Sequence, residues 1–241
     1  MSDTKPLTGK VALVTGSTSG IGLAIAERFL LEGATAIISS RQAERCQMVA
    51  DDLAQRTGST THAVPCDVSD EAQVDTLYSR IDELCGRLDI AVLNAGISGG
   101  TTAIADYNLE DWQRVMATNL TGVFLTARGA FRSLRAGGGG AIIVISSQAG
   151  IYGYATKGAY CASKFGARGL AHALSEEGRR YNIAVSCLCP GTVETPILAA
   201  TNTHVRHPLQ PSEVADAAFY LAQLGPNSMV KDVLLERRHT T

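Results

Sequence analysis

No apolar run in this chain approaches the roughly 20 residues needed to cross a bilayer. The first ten residues also lack the apolar centre of an export signal. These two absences predict a cytoplasmic protein with no membrane partner. An excess of one charge is missing as well: 21 basic and 23 acidic residues leave a net charge of −2 over 241 residues. No polyanion-binding surface is expected, so nucleic acid is not an expected partner. Paired Cys-x-x-Cys spacing is absent too. Cys46, Cys66, Cys85, Cys161, Cys187 and Cys189 are scattered along the chain, which predicts reduced core thiols rather than a disulfide framework. Alternation along a strand puts Cys187 and Cys189 on one face, but no His stands beside them and a zinc site needs three or four converging ligands. No metal is expected. Repeats of solenoid length and composition shifts that would mark a boundary are also missing, so residues 1–241 are read as one domain.

Hydrophobic residues make up 45% of the chain and charged residues 18%, enough apolar matter for a sizeable core. Continuous apolar runs of strand length occur at 11–15, 34–39, 90–93, 141–145, 183–189 and 229–235, and a further strand is read at 61–67. Uninterrupted runs of this kind are buried on both faces. Helical signals lie between them. Ile21, Ile25 and Phe29 recur at i, i+4 and i+8, and the acid-led segment 70–86 follows a candidate cap at Ser69. Alternating strands and helices predict an α/β fold, a doubly wound domain whose parallel seven-stranded sheet is flanked by helices on both faces. Pro65 cannot donate to a ladder and places 61–67 at the sheet edge. The glycine run 137–140 is just long enough to end one helix and begin the next strand. Segment 195–210, with Asn202, His204, Arg206, His207 and Pro208, follows a strand end and is read as a lid over the ligand crevice.

The first strand runs into Thr15-Gly16-Ser17-Thr18-Ser19-Gly20-Ile21-Gly22 and then into an amphipathic helix. Glycines there allow a tight turn and close backbone approach, while the helix N-terminus offers N–H groups and the positive end of a dipole to a pyrophosphate. The spacing differs from the common G-x-G-x-x-G, and a plain strand-to-helix turn is the other reading.

Three motifs stand in order: Thr15-Gly-x-x-x-Gly-x-Gly22, Asn94-Ala-Gly96 and Tyr160-x-x-x-Lys164. Together they resemble the short-chain dehydrogenase/reductase family over roughly residues 9 to 225. The resemblance implies a Rossmann-type fold that binds NAD(P), with Gly16, Ser17, Ser19, Gly20, Ile21 and Gly22 around the phosphates. It places Asp67 and Val68 beside the adenine, and Asn94, Ala95 and Gly96 along the nucleotide cleft. Pro190, Gly191, Val193 and Thr195 resemble the loop near the nicotinamide. The ending after residue 235, with Glu236, Arg237 and Arg238, resembles NADP-dependent hydroxy-acid dehydrogenases and carbonyl reductases. A homodimer or homotetramer is implied, paired through the helices at 108–135 and 158–181.

The choice of dinucleotide is argued on charge. NAD enzymes usually place a carboxylate after the second strand for the ribose 2′-OH, whereas a 2′-phosphate needs cations. Ser39-Ser40-Arg41 stands at that position with no acid. Arg41 would pair with the phosphate while Ser17 and Ser40 donate hydroxyls, so NADP(H) is the expected cofactor. The alternative makes Arg41 a solvated first-turn residue.

Tyr160 and Lys164 lie one turn apart on one face of a small-residue helix. A phenol is a poor acid or base near neutrality, and an adjacent ammonium is expected to lower its pKa. Ser146 and Ser147 end the strand 141–145; Ser147, thirteen residues before Tyr160, is the family's choice for holding the substrate oxygen. Asn119 resembles the family's helix asparagine, thought to position Lys164 through water; a local hydrogen bond is its other reading. Gln148, Tyr152 and Tyr154 either line a substrate pocket or pack. His204, Arg206 and His207 either meet an anionic substrate or are simply solvated. No partner is evident for His62 or His172.

The expected function is hydride transfer between NADP(H) and a small carbonyl compound or secondary alcohol, with Tyr160 as general acid or base. An NADP(H)-binding sensor or scaffold without turnover is the alternative, and an epimerase or dehydratase the third reading.

Overall fold

The computed structural model describes residues 4–199, 205–225 and 227–238. Seven strands form one parallel sheet: β1 (Val11–Thr15), β2 (Thr35–Ser39), β3 (Thr61–Ala63), β4 (Ile90–Leu93), β5 (Gly140–Ile145), β6 (Ile183–Pro190) and β7 (Asp232–Leu235). Their spatial order is β3-β2-β1-β4-β5-β6-β7. The order reverses between β1 and β4, which opens a crevice beyond the carboxyl ends of those strands.

The helices are α1 (Gly20–Leu31), α2 (Ala43–Thr57), α3 (Glu71–Cys85), α4 (Leu109–Met116), α5 (Gly122–Ala136), α6 (Gly158–Gly178), α7 (Pro196–Ala199) and α8 (Pro211–Ala222). Strand alternation divides the core into two layers. Ala12, Val14, Ile143, Ile145 and Leu188 pack with Ile25 and Phe29 of α1 and Val214 and Ala218 of α8. Their sequence neighbours Leu13, Ile142, Val144, Cys187 and Cys189 face Leu77 and Ile81 of α3, Val123 and Ala130 of α5, and Ala167 and Ala171 of α6. Each apolar run thus fills both layers, which is why it reads as continuous rather than alternating.

Several boundaries differ from the expectation. β3 stops at Ala63, two residues before Pro65, although the Val64 and Cys66 N–H groups still donate to the Ile38 and Ser40 carbonyls at 2.9 Å; only Pro65 between them has no N–H to give, which an edge position allows. β7 begins at Asp232 rather than 229. The cap of α3 is Asp70, whose side chain accepts from the Gln73 N–H, and not Ser69, whose N–H and hydroxyl both bond to Asp67. A π-helical turn, Ala117–Thr121, joins α4 to α5; such widened turns arise where a side chain needs re-aiming. Gly140 falls inside β5 with φ +150°. Of the segment read as a lid, residues 196–199 form α7, while 200–204, including Asn202 and His204, lie outside the described residues. Its far end is tied back where the Leu209 N–H donates to the Thr192 carbonyl.

Candidate active site

A cleft of about 810 Å³ opens at the carboxyl edge of the sheet. Its first half is built from backbone. Gly16 and Gly20 take φ of +65° and +53°, and a Cβ on Gly16 would stand 2.9 Å from Ala95 Cα. Glycine is thus needed at Gly16 both for its backbone angle and for the close packing against Ala95, and Gly16 and Gly20 both line the cleft. Ser19, the N-cap of α1, and Gly20 and Ile21 of its first turn line the cleft, where their N–H groups have no intrahelical acceptor. Thr15 and Asn94 hold this arrangement. The Asn94 amide donates to the carbonyls of Thr15 at 2.9 Å and Gly16 at 3.2 Å. In return the Thr15 hydroxyl accepts from the N–H groups of Asn94 and Ala95 at 3.0 and 3.1 Å. The sequence motif includes Thr15 without giving it a role; a hydroxyl at the end of the first strand is the signal that points to this one.

Two predicted ligands do other work. Ser17 is fully buried and its Oγ accepts from the Ser39 N–H at 2.9 Å, so this hydroxyl faces the core and cannot donate to a 2′-phosphate. The cause is the tight turn, which sends Ser17 inward to cap the end of β2. Gly22 does not line the cleft. A Cβ there would meet the Gly16 carbonyl oxygen at 2.4 Å and Asn94 Nδ2 at 2.5 Å, so its role is to let α1 pack against the turn. Ser40 and Arg41 do line the cleft beyond β2, and Arg41 is exposed and makes no ion pair among the described residues. Asp67 and Val68 stand on the next wall; Gly96 and Ala95 follow β4.

The second half is built from side chains of β5, β6 and α6. Ser147, at the end of β5, accepts from the Ala149 N–H through Oγ at 3.1 Å. Burial raises the Tyr160 phenol above its ordinary pKa, and the hydrogen bond with Ser147 only partly offsets this. The expectation of a lowered phenol is thus reversed in this cleft. Lys164 Nζ lies 5.7 Å from the Tyr160 ring centre, and its own ammonium is so desolvated that its pKa falls to about 8. Desolvation of both groups outweighs their mutual field. Lys164 is buried beneath the cleft wall and donates to the Ile145 carbonyl at 2.9 Å. Ser146 donates to the Lys164 carbonyl at 3.0 Å, tying β5 to α6.

Asn119 is fully buried on the π turn and also sits beneath the cleft. Its Oδ1 accepts from the Ile97 N–H, and Nδ2 donates to the Ile97 carbonyl, each at 2.8 Å; a third bond reaches Ser163 Oγ at 3.2 Å. These bonds are long-range, not local, and clamp the segment after β4 to α6. Pro190, Gly191, Val193 and Thr195 form the far wall, with Thr195 close over Gly20. Gln148 and Tyr154 line the cleft and Tyr152 does not. Gln148 is held by Glu236, to which its Nε2 donates at 2.6 Å. Lys157 and Arg237 also line it. Lys157 donates to the Gly100 carbonyl and to Thr101, and burial lowers its pKa. Of the cations read on the lid, Arg206 and His207 do not reach the cleft; the Arg206 carbonyl instead accepts from Arg237.

Residues 10–206 match the short chain dehydrogenase family. The chain belongs to that family. It is an oxidoreductase, and its sheet is the Rossmann-type fold of short-chain dehydrogenases. It is 34% identical over 225 residues to the 3-oxoacyl-acyl-carrier-protein reductase of Aquifex aeolicus, covering 89% of this chain and 90% of that one. It is 35% identical over 197 residues to a 3beta-hydroxysteroid dehydrogenase of Mediterraneibacter gnavus, covering 82% and 71%. Among solved structures it resembles an alcohol dehydrogenase from Thermococcus sibiricus complexed with 5-hydroxy-NADP. The TM-score there is 0.87 at 28% identity, over 94% of this chain and 95% of that chain. A variant of actinorhodin polyketide ketoreductase with NADPH gives a TM-score of 0.88 at 31% identity, over 96% and 98%. No helix among the described residues is long and apolar enough to cross a membrane.

Proposed function

We propose that this short-chain dehydrogenase transfers a hydride between NADP(H) and the carbonyl or carbinol carbon of a small substrate. The observation that carries the reading is geometric: Ser147 and Tyr160 line the same cleft, and the buried Lys164 ammonium lies 5.7 Å from the Tyr160 ring centre. When bound, the nicotinamide supplies or takes up the hydride. In reduction Tyr160 gives its proton to the carbonyl oxygen while the Ser147 hydroxyl donates a hydrogen bond to the same atom. Lys164 steadies the resulting phenolate; in oxidation the proton travels the other way. Asn119 keeps Lys164 and the Ile97 segment in register.

The phosphate form of the dinucleotide is favoured by Arg41, just past the end of β2 and without an ion pair among the described residues, and by the absence of a carboxylate at Ser39-Ser40-Arg41. Ser40 is its remaining hydroxyl partner. The NADP-bound relatives support the same choice. At the substrate end, Lys157 and Arg237 face a cleft whose one lining acid among the described residues, Asp67, lies at the adenine end. That charge asymmetry favours a substrate with an anionic group, such as a keto or hydroxy acid. Pairing of two chains through α5 and α6 is favoured by Phe124 and Phe165, each 44% exposed on those helices.

NADPH oxidation with a panel of keto acids and neutral ketones tests the reading. Turnover that is lost in Tyr160→Phe, with NADPH binding retained, supports it; binding without turnover on any carbonyl compound leaves the sensor instead. Sedimentation of wild type against Phe124→Asp tests the pairing.

A further inference from the structure

Away from the cleft, the face of β6 that meets α6 brings together residues of a different chemistry. Cys187 and Cys189 are both fully buried there, with sulfurs 3.7 Å apart. Asp232 of β7 stands directly opposite Cys187 in the parallel register. The two sulfurs and a carboxylate oxygen all lie within 4.8 Å of one another. α6 holds that carboxylate in place. Arg168 Nη2 donates to Oδ2 at 2.7 Å, and His172 Nε2 lies 2.9 Å from both oxygens. We propose that Cys187, Cys189 and Asp232 form a binding site for a thiophilic divalent cation of the zinc and cadmium class.

Geometry supports the assignment. A tetrahedral ion with bonds of about 2.3 Å to sulfur places two thiolates about 3.8 Å apart. The sulfurs of Cys187 and Cys189 already hold that spacing, so binding needs no rearrangement of β6. Charge supports it as well. With two neutral thiols, the Asp232 carboxylate and the Arg168 guanidinium cancel. The incoming ion takes the place of two thiol protons, which leave to solvent, so the buried layer keeps the same net charge and avoids an uncompensated ion. Arg168 and His172 carry the hydrogen bonding that a ligating carboxylate needs around it. A fourth position is left for His172, now seated on the carboxylate, or for water.

The other buried cysteines lack these features. Cys46 sits against Ser40, and Cys66 has only carboxylates at a distance that raise its thiol to about 12 together with burial, burial being the larger effect. Access comes from the sheet edge, since β7 is the last strand and the side chains of Asp232 and His172 are 28% and 38% exposed. Lys164, Arg168 and His172 are spaced i, i+4 and i+8 on α6, so the same helical stripe carries the buried ammonium at one end and the cation site at the other.

Titrating the reduced, metal-stripped full chain with cadmium alone tests this without any dehydrogenase assay. Thiolate-to-cadmium charge-transfer absorbance and metal content after desalting are the readouts. One cadmium per chain is expected, with the absorbance lost in Cys187→Ala and in Cys189→Ala and kept in Cys66→Ala and Cys161→Ala. Asp232→Asn should weaken binding by at least about tenfold. X-ray absorption on the loaded wild type should show two sulfur neighbours, a result that stands even where a cysteine variant fails to fold. No retained cadmium, a single sulfur neighbour, or full binding by a folded Cys187→Ala chain would overturn the assignment.

Discussion

The two halves of the cleft are made differently. Around β1, β2 and β4 the wall is backbone, and side chains such as Thr15, Ser17 and Asn94 serve to hold carbonyls and N–H groups in place. Around β5, β6 and α6 the wall is a set of titratable side chains, with the partly buried Tyr160 raised and the buried Lys164 lowered to about 8. The first half needs room and rigid shape. The second needs particular chemical groups in particular protonation states, and the fold holds them there against their solvation. Mutations should therefore act on binding in one half and on turnover in the other.

The largest separation is expected from Tyr160→Phe, which deletes the proton donor and leaves the backbone half untouched. Turnover should fall about 10²- to 10⁴-fold, with NADPH affinity, followed by nicotinamide fluorescence, changed little. In the other half, Gly22→Ala puts a methyl 2.4 Å from the Gly16 carbonyl oxygen. NADPH binding should be lost and stability reduced by about 1–3 kcal/mol in a denaturant titration. A variant that bound NADPH normally would show that the backbone half tolerates shape change, contrary to this account. Arg41→Gln should weaken NADPH by about 10- to 100-fold, the usual range for a lost charge-assisted bond, and leave NADH unchanged; equal losses for both would remove Arg41 from the 2′-phosphate.

The protonation argument has its own signature. Lys164 is charged below about pH 8 and neutral above it, and the ammonium is the form that stabilises the phenolate left after proton donation. The rate of carbonyl reduction should thus decline as pH rises through about 8. A smaller effect concerns stability. A lysine whose folded pKa lies below its unfolded value binds fewer protons folded than unfolded between those values. Its contribution to stability is therefore present above the unfolded pKa and lost as pH falls through about 8. Lys164→Met removes this burden, and its melting temperature at pH 7 should equal or exceed that of the wild type while turnover disappears. A large drop in melting temperature would mean that the Lys164 bond to Ile145 outweighs desolvation.

Much of this was legible in the residues. The apolar runs marked six of the seven strands closely because a parallel strand buried on both sides must be apolar throughout. Pro65 marked the edge correctly, yet its strand ended two residues earlier, since edge strands have only one ladder to hold them. Arg41, Ser147 and Tyr160, each singled out in the sequence, all line the cleft. Ser17 went the other way, because a serine in a tight turn can face either the ligand or the core and spacing does not choose. The direction of the Tyr160 shift is not legible in the sequence for a related reason: adjacency on a helix shows that a charge is near, and says nothing of how much water both groups lose.

Sequence alone determined the strand and helix alternation, the glycine turn and the pairing of Tyr160 with Lys164, because each depends on residues within a few positions of one another. Tertiary structure decided everything that joins distant segments: Asn119 to Ile97 and Ser163, Ser17 to the end of β2, and Asp232 to Cys187 and Cys189. Those contacts depend on strand register and on burial, and both are set only when the two core layers close on the sheet.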